Sequence, residues 1–518
     1  MNLWSNAVVR WPLLRLQTPH LAIIIVLCIN ALLYLAARPD PDYYWHLRTG
    51  QYILETRMLP DRDPFSYTAG DRPWVLHEWL AQVVMAKVEA QYGHAGLVLL
   101  HGFLASLAFL LEYLLLRRLA VHHLLSAVLT LVSVIILLPF ISVRPLVYTW
   151  VFLTAFLLVL VPYHRGLDGG RIGRLWWAPL LMILWANLHG GFFIGIVLTA
   201  TLLAVRAVER LIWRRPHALV PLGATLLATV LATLLNPAGL QGALYPLTYL
   251  GGDNASREFI TEWQSPNFHM IVWTVLLAGP ILGGTALGLA RANLGLWPWA
   301  VFALTATMAL QSVRFIPIFG LLAIPAIAEA MRDRFAWARG GTPRAESARG
   351  YLFNWTIVLM LGVLTMIVLF RLPLSSLNSD PFRGKSTYPE RGAGVISACY
   401  PGARMYNFYG WGGYLIWRLY PEQRVFIDGR ADLHGAQMLT DYVTVARLRP
   451  GWDAVLVGRG VDLVIFEKDA PLSVALRFHP EWQEAFEGPV EAVFVRRSSV
   501  SPAARESEAC RSALGQQP

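Results

Sequence analysis

The sequence predicts a polytopic α-helical membrane protein of about eleven transmembrane helices, with a small C-terminal α/β domain outside the membrane. Three observations predict this fold class. Of the 518 residues, 56% are hydrophobic and only 15% are charged, whereas soluble domains carry about 25% charged residues. Many stretches of about 18 residues or more also carry few charges, which is long enough to cross the hydrocarbon core of a bilayer.

The transmembrane helices are predicted from the positions of these apolar stretches. They cover residues 20–37, 95–116, 122–140, 146–163, 175–189, 191–207, 218–235, 270–290, 294–312, 315–331 and 351–371. The first stretch lacks a clear small-residue cleavage site, so it is interpreted as a retained span and not as a signal peptide.

Loop charges predict the orientation. If the N-terminus is cytoplasmic, the arginine-rich loops all fall on the cytoplasmic side, as the positive-inside rule requires. These loops contain Arg117 and Arg118, residues 165–174, residues 206–215, Arg291 and residues 332–349. The net charge of +10 then reflects topology, and no nucleic-acid partner is predicted.

The transmembrane domain is predicted over residues 1–371 and includes the first loop on the outer side, residues 38–94, which is rich in polar and aromatic side chains. Asp40 and Asp42 follow the first span, and Trp45 belongs to a short amphipathic helix predicted to lie at the membrane interface. A second amphipathic helix is predicted over Trp74–Tyr92, carrying His77 and Glu78.

Asp40 and Asp42 are the candidate catalytic carboxylates. Such groups at the membrane edge can deprotonate a hydroxyl as general base, or hold Mg²⁺ or Mn²⁺ against a phosphate leaving group. The alternative is that both residues simply cap the interfacial helix.

A series of short motifs runs through most of the chain. They are Asp40-x-Asp42, Trp45-His46-Leu47, Asp63-Pro64-Phe65-Ser66-Tyr67-Thr68, Trp74, His77-Glu78-Trp79-Leu80, Arg144-Pro145, Trp185-x-Asn187-Leu188-His189-Gly190-Gly191, Asn236-Pro237-x-Gly239, Glu262-Trp263-x-Ser265-Pro266, Arg314-Phe315, Trp411-Gly412-Gly413-Tyr414-Leu415 and Val425-Phe426-Ile427-Asp428-Gly429-Arg430. In these motifs the chain resembles a group of bacterial multispan proteins that is similar to the GT-C superfamily of membrane glycosyltransferases.

The resemblance implies a GT-C-like fold and transfer of a hexosyl or pentosyl group. The donor would be a polyprenyl-phosphate sugar, and the acceptor a glycan, lipid or protein at the outer face of the bacterial cytoplasmic (inner) membrane. An acidic residue of the first outer loop acts as base or metal ligand in GT-C enzymes, a role that falls here on Asp40 or Asp42.

Other polar residues of the outer side are candidates for substrate binding. Arg314 and Arg144 are predicted ligands of a lipid phosphate, because the guanidinium fork matches phosphate geometry. The alternatives are snorkelling to headgroups or a structural pair with Glu262. Glu262 itself lies in a long outer loop, a feature that is often functional.

Three histidines fall on the same side. His189 follows a helix in a glycine-rich turn, and His46 and His77 lie in the first loop. Each can shuttle a proton or bind metal, or cap and pack structurally; His46 is grouped with the aspartates as a candidate catalytic residue. Trp45, His77 and Glu78 join the candidate substrate-binding residues.

After residue 371 the apolar runs shorten to strand length, which predicts a soluble α/β domain over 372–497 and a disordered tail over 498–518. Strands are predicted at 404–407, 424–427, 461–466 and 491–495. Asp428 and Arg430 end one strand as a ligand site or, with slight preference, as a mutual ion pair. One disulfide, between Cys399 and Cys510, is compatible with the spacing but is not favoured.

Two other functions remain open. A transporter would place polar residues near the bilayer midplane and show internal repeats, and the sequence shows neither clearly. A non-catalytic protein that binds lipid-linked glycans, or assembles the envelope through its outer domain, fits the same residues.

Overall fold

A computed structural model describes most of the chain. The described residues are 16–35, 40–167, 172–214, 218–248, 260–290, 295–341, 347–371, 388–499 and 508–515. They form two compact units. The membrane unit comprises the described residues of 1–38, 95–246 and 261–377, and the α/β unit comprises those of 39–94, 247–260 and 378–518.

The membrane unit is helical. Its helices are α1 (Thr18–Leu35), the second part of α3 (Trp79–Arg118), α4 (His123–Leu137), α5 (Leu146–Arg165), α6 (Trp177–Leu188), α7 (Phe193–Trp213), α8 (Leu219–Ala232), α9 (Gly239–Thr248), α10 (Ile271–Ala290), α11 (Leu296–Gln311), α12 (Ile316–Arg334) and α13 (Ala348–Arg371). Each predicted span overlaps one of these helices, so a helix is present at each predicted position.

Length and apolar composition together are a stricter criterion for a membrane-crossing helix than the presence of a helix alone. Within the described part of the chain, six helical stretches are long and apolar enough to cross a bilayer, and two shorter apolar helices accompany them. The chain is therefore a multi-pass membrane protein, and the total of about eleven spans stays a prediction.

Helix α3 joins two predicted helices. The sequence predicts one helix ending at Tyr92 and another starting at residue 95, and the structure connects them through Gly93. This glycine has φ 63° and ψ −167°, a conformation that is essentially restricted to glycine. The backbone therefore bends where the chain passes from the α/β unit into the membrane unit.

The α/β unit is built on a four-stranded mixed sheet of order β1-β2-β4-β3. Its strands are β1 (Met405–Asn407), β2 (Leu463–Glu467), β3 (Trp482–Glu487) and β4 (Glu491–Arg496). β1 pairs parallel with β2, and β4 pairs antiparallel with both β2 and β3. The helices are α2 (Tyr43–Thr56), the start of α3, α14 (Glu390–Cys399), α15 (Gly412–Leu419), α16 (Ala431–Ala446), α17 (Trp452–Gly458), α18 (Pro471–Phe478) and α19 (Glu508–Ala513).

One predicted strand is absent from this sheet, and one strand of the sheet was not predicted. The predicted strand 424–427 forms only an isolated bridge between Val425 and Ser66, because this segment pairs with the first loop and not with the sheet. Strand β3 was not predicted, since its apolar residues Trp482 and Phe486 are separated by three residues of mixed polarity and give no clear alternation.

The first loop packs inside the α/β unit, although the sequence assigns it to the transmembrane domain. Helix α2 forms as predicted, but Trp45 is buried where the sequence predicts contact with lipid headgroups, and the neighbouring Tyr44 is buried as well. The ring of Tyr44 lies 5.1 Å from that of Tyr414 on α15. Gly413 allows this approach, because a Cβ there would lie 2.7 Å from the Pro41 carbonyl oxygen.

The C-terminal segment also differs from the prediction. Residues 508–513 form helix α19 where a disordered tail is predicted, and Cys510 is disulfide-bonded to Cys399 at the end of α14. The polar composition of this segment gives no sign of a helix, because Cys510 is its one buried residue and the disulfide to Cys399 attaches it to α14. Residues 500–507 and 516–518 lie outside the described part of the chain.

Candidate active site

Asp40 and Asp42 lie at the start of helix α2. Asp42 occupies the N-cap position but makes no side-chain capping hydrogen bond. Its Oδ1 accepts a 2.9 Å hydrogen bond from Trp45 Nε1, while Asp40 Oδ1 accepts one from the Asp42 backbone N–H, also at 2.9 Å. Asp40 thus shapes the turn, and the indole of Trp45 fixes the carboxylate of Asp42.

The carboxylate of Asp42 faces the loop that contains Asp428, Gly429 and Arg430. A Cβ added to Gly429 would lie 2.0 Å from Asp42 Oδ1 and 3.3 Å from Trp45 Nε1. Only glycine leaves room for the carboxylate in this arrangement. Gly429 in the motif Asp428-Gly429-Arg430 therefore leaves the space that the Asp42 carboxylate occupies.

A buried charge network holds this loop in place. The Arg430 guanidinium binds both oxygens of Asp428, at 2.7 and 2.6 Å, and Oδ1 of Asp63 at 2.8 Å. His434 Nε2 lies 3.1 Å from Asp428 Oδ2, and the Arg430 guanidinium lies 4.6 Å from the ring centre of Trp74. These charges are almost completely buried, so each depends on its partners.

The same network explains two sequence motifs. The predicted ion pair of Asp428 and Arg430 is confirmed. Burial raises the pKa of Asp428, but Arg430 and His434 outweigh burial and hold that pKa well below its usual range. Asp63 also accepts hydrogen bonds from the backbone N–H groups of Phe65 and Ser66, which accounts for the Asp63-Pro64-Phe65-Ser66 turn. Sequence reasoning did not connect Asp63 or His434 with Arg430, because the three are distant along the chain.

His46, His77 and Glu78 form a second group in the α/β unit. Glu78 Oε2 lies 3.5 Å from His46 Nδ1, and Glu78 Oε1 lies 3.5 Å from His77 Nε2. His46 Nδ1 also lies 3.2 Å from Gln82 Nε2. Burial lowers the pKa of His77, but Glu78 and the charge of Asp432 outweigh it, so the net pKa is raised.

Arg144, Glu262 and Arg314 come together in the membrane unit. An Arg144 Nη donates a 2.9 Å hydrogen bond to Glu262 Oε1, and the Arg314 guanidinium lies 4.8 Å from the ring centre of Trp263. Burial raises the pKa of Glu262, but the charges of Arg144 and Arg314 outweigh it and lower that pKa. The pairing of Arg144 with Glu262, which the sequence analysis gave as an alternative to phosphate binding, is confirmed, and Arg314 lies over the ring of the next residue, Trp263.

His189 lies apart from this arginine group along the chain and makes its own contacts. Its Nδ1 accepts a 2.9 Å hydrogen bond from the Gly191 backbone N–H and lies 2.7 Å from Thr149 Oγ1. Trp185 Nε1 donates to the same hydroxyl at 3.1 Å. The capping interpretation of His189 is therefore confirmed.

Asp40 and Asp42, the predicted metal ligands, lack the further side chains that would complete a metal site in the described part of the chain. Within the described residues, no group of three or more His, Cys, Asp and Glu side chains is placed to hold a metal ion. Asp40 and Asp42 each direct one oxygen to a hydrogen-bond donor of the chain. Among the residues that the structure describes, Asp40 and Asp42 thus do not fit a divalent cation held by three His, Cys, Asp or Glu side chains.

Comparison with known proteins identifies the fold through solved structures. No family sequence model matches the chain, and no curated protein matches it significantly in sequence. The archaeal oligosaccharyltransferase AglB from Archaeoglobus fulgidus, in complex with an inhibitory peptide and a dolichol-phosphate, matches with a TM-score of 0.53 and 12% identity. The match covers 95% of this chain and 77% of AglB. The apo form of the oligosaccharyltransferase from this organism matches with a TM-score of 0.52 and 13% identity. That match covers 86% of this chain and 69% of the oligosaccharyltransferase chain.

A second kind of glycosyltransferase shares the architecture. The arabinofuranosyltransferase AftD from Mycobacteria matches with a TM-score of 0.50 and 11% identity, over 92% of this chain and 40% of AftD. The predicted GT-C-like fold is confirmed by these structures. At identities of 11–13% the likeness concerns the fold.

Proposed function

We propose that this protein is a membrane glycosyltransferase that moves a sugar from a polyprenyl-phosphate donor to an acceptor hydroxyl. The observation that carries the proposal is the carboxylate of Asp42, which Trp45 and the space above Gly429 hold in one position. Its setting supports the assignment, because this chain shares its fold with two kinds of glycosyltransferase.

In the proposed reaction, Asp42 is the general base. Its carboxylate takes the proton of the acceptor hydroxyl as the acceptor oxygen bonds to the anomeric carbon of the donor sugar. The bond from that carbon to the phosphate oxygen breaks, and polyprenyl phosphate leaves with the electron pair. Asp40 supports Asp42 by ordering the turn before α2.

Arg314 and Arg144 are the proposed ligands of the donor phosphate. Phosphate is anionic, and arginine binds it through paired N–H groups. Glu262 orients Arg144, and the indole of Trp263 lies against Arg314. Two guanidinium groups in the same part of the membrane unit favour an anionic ligand and would stabilise the departing phosphate.

The orientation proposed for the chain places the α/β unit outside the cytoplasm, at the bacterial inner membrane. The loop charges support it, and so does the disulfide of Cys399 and Cys510. Disulfides persist in oxidising compartments and are rare in the cytosol.

The test uses the purified full chain in lipid nanodiscs with a panel of polyprenyl-phosphate pentoses and hexoses, with and without Mg²⁺ or Mn²⁺. Release of polyprenyl phosphate is followed. Asp42→Asn is expected to lower the rate by about 10²–10⁴-fold, the usual contribution of a general base, and to retain donor binding. Asp40→Asn is the matched control, with a smaller expected loss because its contact is to the backbone.

The outcomes separate the candidate functions. Donor binding that requires Arg314, without turnover of any donor, would replace the enzyme with a binding or assembly protein. An Asp42→Asn variant as active as the wild type would remove Asp42 as base. Activation by a cation that is lost in both aspartate variants would instead identify the pair as metal ligands.

A further inference from the structure

A cavity of about 430 Å³ opens on the α/β unit between the sheet and helix α16. This volume lies within the range of about 300–1,000 Å³ that is usual for small-molecule sites. Four aromatic side chains contribute to its wall: Phe408, Tyr409, Tyr442 and Phe466. The aromatic-glycine turn after β1 supplies two of them.

The aromatic wall is fixed before any ligand binds. The backbone N–H of Tyr409 donates a 3.0 Å hydrogen bond to Tyr442 Oη. The ring of Phe408 meets that of Phe466 edge to face at 5.3 Å. Side chains held in this way lose little entropy on binding, so their flat faces form a preorganised surface.

Two charged side chains complete the lining. Glu467 lies at the end of β2 and Arg447 follows α16, and both are exposed residues of opposite charge. A carboxylate accepts hydrogen bonds from hydroxyl groups, and a guanidinium donates them. The balance of charge suits a neutral ligand with many hydroxyls, whose C–H faces pack on aromatic rings.

Tyr409 connects this cavity with the candidate base. Burial, and then the charges of Asp42, Asp428 and Asp432, raise the pKa of the Tyr409 hydroxyl well above its ordinary value. The hydroxyl thus stays protonated, as a hydrogen-bond donor in a field set partly by Asp42. The same turn continues to Gly412 and Gly413, which approach Asp428 and Trp45 closely, so one segment of the chain lines the cavity and borders the candidate base.

We infer that this cavity binds a neutral saccharide as the acceptor of the transfer reaction. The inference rests on the proposed function and adds to it the chemical class of the acceptor. The saccharide packs on Phe408 and Tyr409, and Glu467 and Arg447 bind its hydroxyls. The acceptor is then a growing glycan and not a protein or a lipid.

The experiment measures binding by the full chain in nanodiscs, using saturation-transfer NMR with four neutral trisaccharides: cellotriose, maltotriose, mannotriose and arabinotriose. Ala470 lines the cavity, so Ala470→Trp fills it. Ala454→Trp adds the same side chain at an exposed position of α17 and is the matched control. Glu467→Gln leaves the cavity open and removes the negative charge of the rim.

The wild type and Ala454→Trp are expected to bind at least one trisaccharide. Ala470→Trp is expected to weaken that binding at least tenfold and Glu467→Gln to weaken it severalfold, both with unchanged thermal unfolding. In the transfer assay, Ala470→Trp should raise the KM for the acceptor and Ala454→Trp should leave that KM unchanged, whereas Asp42→Asn should retain saccharide binding.

Absence of saturable binding of all four trisaccharides to the wild type would overturn the inference, as would undiminished binding by Ala470→Trp. Binding of an unstructured peptide at the cavity, with no saccharide competing for it, would assign the site to a protein acceptor instead. If no donor is turned over but saccharide binding is lost in Ala470→Trp, the binding site stands and the transferase proposal fails.

Discussion

At the scale of single residues, the position of the Asp42 carboxylate depends on residue 429 being a glycine. Gly429→Ala would put a Cβ 2.0 Å from Asp42 Oδ1, so the carboxylate must move by about 1 Å or more to restore normal contact. A misplacement of this size can cost about 10²-fold in rate. Release of polyprenyl phosphate by this variant is therefore expected to fall strongly at unchanged donor affinity.

The matched control for Gly429 is Gly458→Ala, because nothing lies within 4 Å of a Cβ at Gly458. It should behave as the wild type does. Equal activity of Gly429→Ala and Gly458→Ala would show that the observed position of Asp42 does not matter for the reaction. Loss of folding in Gly429→Ala would be visible in the thermal unfolding of the variant.

His77 gives the α/β unit a pH-dependent contact. Its pKa in the folded chain is raised above 6.5, because Glu78 and Asp432 favour the charged ring more than burial disfavours it. The stabilisation is thus fully present below pH 6.5 and is lost as the pH rises through the higher folded-state pKa. Thermal unfolding of the wild type and of His77→Gln, compared from about pH 5 to 9, should show a difference that is largest at acidic pH.

A difference between wild type and His77→Gln that is constant with pH would contradict this assignment. A difference that grows toward alkaline pH would mean that the buried ring is held neutral. The comparison of the two proteins cancels the titration of histidines distant from Glu78, which both proteins contain.

At the scale of elements, the helices were predictable and their partners were not. Long apolar runs such as 146–163 predict a helix without knowledge of its neighbours, because the bilayer demands satisfied backbone groups. Helix α2 was predicted from its aromatic pattern, but the pattern does not tell whether Trp45 contacts lipid or protein. The Asp63–Arg430 contact joins positions 367 residues apart, and no local signal encodes such a pairing.

The candidate site was predictable to the same degree. Charge at the membrane edge predicted Asp42 and Arg144 as candidates, and the pairing of Arg144 with Glu262 was among the alternatives. The role of Gly429 beside Asp42 was hidden, because it depends on packing between segments. The sequence shows a glycine-rich turn at Tyr409, but it does not show that this turn lines an aromatic cavity.

The disulfide makes helix α19 dependent on α14. Cys399 and Cys510 are 111 residues apart, and a disulfide that closes a long loop contributes about 2–4 kcal/mol. Cys399→Ser should therefore expose α19 to rapid amide hydrogen exchange and leave strand β4 protected. Cys28→Ser, at the unpaired cysteine of α1, should change neither; unchanged exchange of residues 508–513 in Cys399→Ser would show that packing alone holds α19.

At the scale of the whole molecule, the two units carry different groups of side chains. The helices of the membrane unit satisfy their own backbone groups, as lipid requires. The α/β unit carries the aspartates of α2, the buried Arg430 network and the aromatic cavity. The proposed base and the proposed acceptor site both belong to the α/β unit. The proposed reaction therefore requires this unit to lie in the compartment that contains the acceptor.

The orientation is tested with two introduced cysteines in a chain without Cys28. Phe478→Cys, at an 85% exposed position of α18, reports on the α/β unit, and Trp337→Cys, 60% exposed, reports on a loop predicted to be cytoplasmic. In intact cells with a permeabilised outer membrane, a membrane-impermeant maleimide should label the cysteine at 478 and not the one at 337. Lysis should make both reactive. The reverse pattern in intact cells would place the disulfide in the reducing cytosol and the arginine-rich loops outside, against both charge asymmetry and thiol chemistry.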